Sequence, residues 1–226
     1  MTPKTYNDNF FSHHLQMSIS SAEQIIPLVL EYVNPKSVLD VGCGVGTWLS
    51  VWEKKGISDI LGVDGDYVKR EELLIEESKF IAVDLEKGLN IDRKFDLVSC
   101  LEVAEHINPS FAEKLIHSLC SLSDVILFSA AIPGQEGTLH VNEQYPSYWA
   151  NIFTKNNFIP IDCIRKNIWD NEKVSYWYRQ NVLVYVNKRC IQNFERLELE
   201  ANQTNPNFLN LVHPGYFDYK CTKILK

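Results

Sequence analysis

The stretch SVLDVGCGVGT, residues 37–47, decides the fold. Its first half, SVLDVG (37–42), is a short apolar, β-branched run of the kind that forms a buried strand. Glycines then fall at 42, 44 and 46, and TWLSVWEKKG (47–56) reads as a helix closed by Gly56. A strand that breaks into a glycine turn and resumes as a helix places backbone N–H groups where a ligand can approach closely. The same alternation continues downstream. DILGVD (59–64), KFIAVDL (79–85), FDLVSCLEV (95–103) and DVILFSAAI (124–132) read as further strands. Asn108-Pro109 is an N-cap followed by proline at the first helical position, opening a helix whose inner face is Phe111, Leu115, Ile116 and Leu119. Repeated at this spacing, the pattern predicts right-handed βαβ units and an α/β, doubly wound, mostly parallel sheet.

The flanks complete this outline. SAEQIIPLVLEYV (21–33) reads as an amphipathic helix, with Ser21 and Gln24 as a capping box and Pro27 as a kink. PSYWANIFTKNN predicts a helix, and FIPIDCIR and QNVLVYV (180–186) two strands with no clear helix between them, an antiparallel hairpin at one sheet edge. The reading is of one domain over 1–226: a helical cap (1–34), a core (35–187), and a charged helix with an aromatic tail (188–226).

Composition excludes several classes. With 226 residues, 45% apolar and 23% charged, the chain has the makings of one well-cored globular domain. A net charge of −7 with scattered Lys and Arg does not suit a polyanion, so a nucleic-acid partner is not expected. Six cysteines (43, 100, 120, 163, 190, 221) form no CxxC pair, which suits reduced thiols. No apolar run approaches the ~18 residues of a membrane span. The expectation is a cytoplasmic protein without a membrane partner, its oligomeric state open between monomer and homodimer.

The glycines are spaced G-x-G-x-G and follow an acidic residue, Asp40. Asp64 ends the second strand about 20 residues later, where a carboxylate grips ribose hydroxyls. Asp40 with its glycines, Asp64, VDL (83–85) and the fourth strand together resemble the class I S-adenosylmethionine-dependent methyltransferases, over roughly residues 35–130. The resemblance implies a Rossmann-like, seven-stranded sheet with an antiparallel last strand, and S-adenosylmethionine as cofactor. It implies that Gly42, Gly44 and Thr47 line the methionine part, with Asp40, Cys43 and Trp48 beside them. Asp64 and Gly65 would meet the ribose, Asp84 and Leu85 the adenine, and the backbone near Leu101 the methionine amine. An NAD-binding domain is the alternative, but it wants the G-x-G-x-x-G spacing.

Past the fourth strand, CLEVAEHI (100–107) sets Glu102, Glu105 and His106 at i, i+3 and i+4, one face of a helical turn. Three readings stay open. Glu105 and His106 can be folding features, a turn cap and a satisfied imidazole. His106 or His140, with Glu143 nearby, can do acid–base work, since the usual histidine pKa lies close to neutrality. Alternatively Glu102, Glu105, His106 and the distant His140 hold a divalent metal, Mg, Mn or Zn. E-x-x-E-H resembles the motif of ubiquinone-pathway O-methyltransferases and, with a second histidine, that of small-RNA terminal-ribose methyltransferases. A metal would favour hydroxyl acceptors, because a neutral alcohol is a poor nucleophile.

AAIPGQEGTLHVNEQYPSYWANIF (130–153) is too polar and glycine-punctuated for a core element. Here Asn142 and Gln144 are candidate hydrogen-bonding groups for a polyhydroxylated ligand, with Tyr145, Tyr148 and Trp149 a stacking wall. The same residues can also form a solvated turn and helix cap. Arg179 is an anion clamp or a sheet-edge salt bridge. Tyr6, Phe10 and Phe11 are a flap over the cofactor or simple packing. HVNEQYPSYW with WYRQN resembles a bacterial methyltransferase subgroup of surface-glycan and secondary-metabolite pathways. The expected activity is methyl transfer to a hydroxyl of a small polar acceptor, a sugar or nucleotide-activated glycan precursor. The alternatives are N-methylation of a small amine or phosphoramidate, ribose methylation of small RNA, and a cofactor-binding protein without catalysis.

Overall fold

A computed structural model describes residues 8–224, with side chains over 15–223. In chain order the elements are α1 (Asp8–Tyr32), β1 (Ser37–Val41), α2 (Thr47–Lys54), β2 (Asp59–Asp64), β3 (Phe80–Ala82), β4 (Leu97–Leu101), α3 (Ala112–Leu122), β5 (Val125–Ser129), α4 (Pro146–Lys155), β6 (Phe158–Ile161), α5 (Arg165–Ile168), α6 (Tyr176–Asn181), β7 (Leu183–Asn187), α7 (Glu195–Gln203) and α8 (Pro214–Ile224). The seven strands form one sheet in the order β3-β2-β1-β4-β5-β7-β6. All neighbours pair parallel except β7, which runs antiparallel to both β5 and β6. Strand order reverses between β1 and β4, and in doubly wound sheets the crevice beyond that reversal receives the ligand.

The strands are apolar on both sides because both faces are covered. On β1, Val38 joins the layer of Ile25, Leu49 and Trp52 from α1 and α2. Leu39 and Val41, two apart and so on the other face, join Leu115, Ile116 and Leu119 of α3 and Phe153 of α4. Each fully buried Leu or Ile contributes about 1.5–3 kcal/mol.

Several local expectations change. α1 begins well before Ser21, so the capping box does not form; Ser21 is buried, donating to the Met17 carbonyl (2.8 Å) and accepting from Ser175 N (3.0 Å). β3 stops at Ala82, leaving Asp84 to cap a short turn over Leu85–Lys87 through its bond from Glu86 N. Two short helices, α5 and α6, separate β6 from β7, where none was expected, and WYRQN lies within α6. The aromatic tail ends in a helix, α8. Tyr6 and the side chains of Phe10 and Phe11, the anticipated flap, lie outside the described residues. Among the described residues no helix is long and apolar enough to cross a membrane.

Candidate active site

Beyond the carboxyl ends of β1, β2 and β4 lie two adjoining cavities. The larger, about 910 Å³, is lined by Gly42, Asp64, Gly65, Asp84, Leu85 and Val103 among others. The other, about 630 Å³, is lined by Gly44, Thr47, Glu105, His140, Tyr176 and Trp177 among others. Tyr67, Glu102, His106 and Thr138 border both and mark their junction.

The glycine turn is locked to β2. Gly42 N and Cys43 N donate to the Val63 carbonyl at 2.8 and 3.2 Å. Gly42 has φ +76, and a Cβ there would come within 2.3 Å of a Val103 methyl, so only glycine fits. The buried Asp64 carboxylate closes the turn, accepting from Gly44 N (2.7 Å), Gly65 N (2.6 Å) and the Tyr67 hydroxyl. Thus Gly42, Gly44, Thr47, Asp64, Gly65, Asp84 and Leu85 meet around the two cavities. Asp40, Cys43, Trp48 and Leu101 are buried and line neither. Asp40 instead accepts from Ser99 Oγ at 2.6 Å, and burial pushes its carboxyl up to about 7. Trp48 packs edge-on against Tyr178.

The expected helical turn over Glu102, Glu105 and His106 is interrupted. Glu102 adopts φ 56, a left-handed conformation uncommon for a residue with a side chain, and the turn starts only at Ala104. Its carboxylate accepts from Gln135 Nε2 (2.9 Å) and Asn181 Nδ2 (3.2 Å). Burial raises its pKa against the pull of those amides. Glu105 and His106 remain together on the turn. Glu105 is buried and its pKa is raised well above the carboxylate range, first by burial and then by the nearby Glu102 charge. Its Oε2 has no hydrogen-bond partner.

His140 completes the cluster. Its ring packs edge-to-face on that of His106, centroids 4.8 Å apart. One ligand-capable atom from each of Glu105, His106 and His140 lies within 4.8 Å of the others. Glu102 is not in this set. His106 hydrogen-bonds the Leu139 backbone, and burial followed by His140 lowers its pKa. His140 Nδ1 lies 2.8 Å from Glu143 Oε1. The same carboxylate accepts from Gly134 N (2.7 Å) and Glu136 N (2.8 Å), so Glu143 organises the loop that carries His140.

The residues expected to form a substrate lip lie away from both cavities. Trp149 is in the core against Phe128, with Tyr148 beside it. Asn142 is buried, its Oδ1 accepting from Gln144 Nε2 at 3.2 Å, and Arg179 donates to the Trp169 carbonyl at 3.3 Å. None of Asn142, Gln144, Tyr148, Trp149 and Arg179 lines either cavity. The aromatic wall is built by Tyr176, Trp177 and Tyr178, with Gln135, Glu136 and Thr138 at its polar side. Residues 135, 136 and 138 belong to the polar stretch already singled out. Tyr176 was missed because helix α6 was not foreseen.

A glycine turn after β1, an acidic residue closing β2 and paired cavities over the sheet's reversal point define an α/β enzyme that binds a nucleoside cofactor. A family model for a methyltransferase domain matches residues 12–166. The chain belongs to the class I S-adenosylmethionine-dependent methyltransferases, and S-adenosylmethionine is its cofactor. It is 30% identical over 132 residues to a ubiquinone biosynthesis O-methyltransferase of Pasteurella multocida (strain Pm70), a match covering 47% of this chain and 53% of that protein. The chain therefore spans about half the length of this curated relative. Among solved structures, magnesium protoporphyrin IX methyltransferase (ChlM) from Synechocystis PCC 6803 with bound SAM superposes with a TM-score of 0.55 at 20% identity, covering 83% of this chain and 86% of that one. The sugar N-methyltransferase KedS8 from Streptoalloteichus sp ATCC 53650 gives a TM-score of 0.60 at 14% identity, covering 83% and 98%. At these identities the two structures speak to the fold.

Proposed function

We propose that this enzyme methylates a hydroxyl of a small polar acceptor, a sugar or related glycan precursor, at a site where Glu105, His106 and His140 hold a divalent metal. The observation that carries this reading is the convergence of those three groups in the wall of the smaller cavity, with His106 at its junction with the larger. The residues fit such an ion. Buried polar atoms are normally partnered, by an ion where no protein group serves, and Glu105 Oε2 has no protein partner. A ligating imidazole commonly donates its other N–H to a carboxylate, and His140 does so to Glu143. When bound, a divalent ion lowers the pKa of a coordinated hydroxyl and holds it for attack.

The chain supplies the rest. Asp64, between the glycine turn and the larger cavity, would accept from ribose hydroxyls, and Asp84 and Leu85, which line that cavity, would border the adenine. Gly44 and Thr47 line the smaller cavity where the methionine end would lie. Tyr176 and Trp177 offer ring faces to a sugar, and methyl transfer gains most from holding the acceptor oxygen in line with the donor carbon. Glu143 fixes the proton on His140 Nδ1, leaving Nε2 as the ring atom that can ligate or accept a proton. The net charge of −7 favours a neutral or cationic acceptor over RNA.

The test is to incubate the protein with methyl-labelled S-adenosylmethionine and a fractionated bacterial extract, with EDTA and with added Mn²⁺. Label entering small hydroxylated molecules, lost with EDTA and restored by Mn²⁺, supports the reading. EDTA-resistant label on amines, or label in RNA, contradicts it.

A further inference from the structure

Segment 134–140 carries an unusual load of backbone strain. Gly134, Glu136 and Leu139 all have positive φ (83, 62 and 63), two of them bearing side chains that disfavour it. Such conformations persist only where surrounding contacts over-determine them. From inside, Glu143 accepts from Gly134 N, Glu136 N and His140 Nδ1. From outside, the contacts come from α8, near the end of the described chain. The Tyr216 hydroxyl donates to the Gly134 carbonyl. Lys220 Nζ lies 2.5 Å from one carboxylate oxygen of Glu136 and Lys223 Nζ 3.0 Å from the other.

Residues 216, 220 and 223 are spaced i, i+4 and i+7, a single helical face. That face is directed at the loop, while the apolar Phe217 and Tyr219 of the same helix stay exposed. The arrangement is not that of a helix docked by its apolar side. Tyr216 also stacks on Tyr176, which lines the smaller cavity, with ring centroids 5.4 Å apart. A second connection leaves the residue just before α8. His213 N donates to Gln180 Oε1 (2.8 Å), Gln180 Nε2 donates to Asn181 Oδ1 (3.0 Å), and Asn181 Nδ2 donates to Glu102 (3.2 Å).

We propose that Tyr216, Lys220 and Lys223 are positioning residues for methyl transfer: α8 clamps segment 134–140 and so sets His140 against Glu105 and His106. The metal part of this inference rests on the function proposed above; the clamp itself does not. The exposed ion pairs are individually weak, so the effect depends on their acting with the Tyr216 hydroxyl on the same short loop.

The experiment uses the full chain saturated with S-adenosylhomocysteine. Three variants are compared with wild type: Tyr216→Phe, which keeps the ring on Tyr176; the double variant Lys220→Ala/Lys223→Ala; and Lys220→Arg/Lys223→Arg as the conservative control. Backbone hydrogen exchange over 134–143 and Mn²⁺ affinity are read for each. Exchange in the loop is expected to accelerate about tenfold and the Mn²⁺ Kd to rise three- to tenfold in the first two variants. S-Adenosylhomocysteine affinity should stay within twofold, and the arginine pair should restore wild-type values. Glu136→Gln, which approaches the same contact from the loop side, should reproduce the effect if a helix variant fails to fold. If wild type binds no Mn²⁺ yet loop exchange accelerates in the variants, the clamp stands and the metal reading falls. Unchanged exchange over 134–143, or a parallel loss of S-adenosylhomocysteine affinity, overturns the clamp.

Discussion

His140 and Glu143 are joined by a 2.8 Å contact between Nδ1 and a carboxylate oxygen. A carboxylate can only accept, so the proton sits on Nδ1, and Nε2 is the nitrogen left for a ligand or an acceptor proton. Glu143 therefore acts on chemistry through the orientation of another residue and through the two backbone N–H groups it binds.

Removing it should uncouple the loop from the cofactor lobe. Glu143→Ala is expected to weaken Mn²⁺ binding ten- to a hundredfold, the usual penalty for losing the partner of a ligating histidine. Glu143→Gln, with one acceptor oxygen instead of two, should fall between. Calorimetric titration reads both, and S-adenosylhomocysteine affinity should change less than twofold.

Gly137 offers a steric test of His140. A Cβ at 137 would come within 2.1 Å of His140 Nε2, and its three nearest atoms all belong to that flexible ring. In Gly137→Ala the ring must swing aside while the backbone stays. Melting temperature should move by only a few degrees, whereas methyl transfer and Mn²⁺ affinity should drop at least tenfold. Equal loss of stability and binding would argue against His140 at the site.

Much of this was legible in the sequence. The strand Asp59–Asp64 coincides with its apolar run because a charged residue and the end of the run bound it, and the reversal at β1/β4 is what a doubly wound sheet requires. Asp64 and the glycines announced themselves by spacing along one chain segment. What local pattern could not carry was which aromatics face the cavity. Trp149 lies on the same helical face as Ile152 and Phe153 and so turns into the core, whereas Tyr176 reaches the cavity from a six-residue helix too short to show a period. The left-handed backbone at Glu102 was equally invisible, since a buried bond from its N–H to the Ser129 carbonyl and two distant amides impose it.

The cofactor lobe is tested at Asp64. Asp64→Asn turns one acceptor into a donor facing the N–H groups of Gly44 or Gly65 and removes the charge. Hydrogen bonds to charged groups are worth about 1.5–3 kcal/mol. The S-adenosylhomocysteine Kd should therefore rise at least tenfold with the fold retained by circular dichroism. An unchanged Kd would remove Asp64 from the cofactor site.

Asp40 should mark the pH dependence of stability. Its folded-state pKa is raised to about 7 by burial, against 3.8 for the ordinary group. The folded protein thus holds a proton that the unfolded chain has released between about pH 4 and 7, and in that window this group makes stability fall as pH rises. Asp40→Asn keeps the acceptor for Ser99 Oγ and cannot ionise. In the cofactor-free protein its melting temperature relative to wild type should climb from pH 5 to pH 8, by several degrees at about 2–4 °C per kcal/mol for a chain of this size. A difference that is flat with pH would contradict the assignment.

The most direct test of the central claim is a calorimetric titration of Mn²⁺ into the protein saturated with S-adenosylhomocysteine, run beside His140→Ala. One-to-one binding in the micromolar range is expected, weakened at least tenfold, or about 1.4 kcal/mol, by the substitution. No binding to either protein, or equal binding to both, would contradict a metal held by Glu105, His106 and His140.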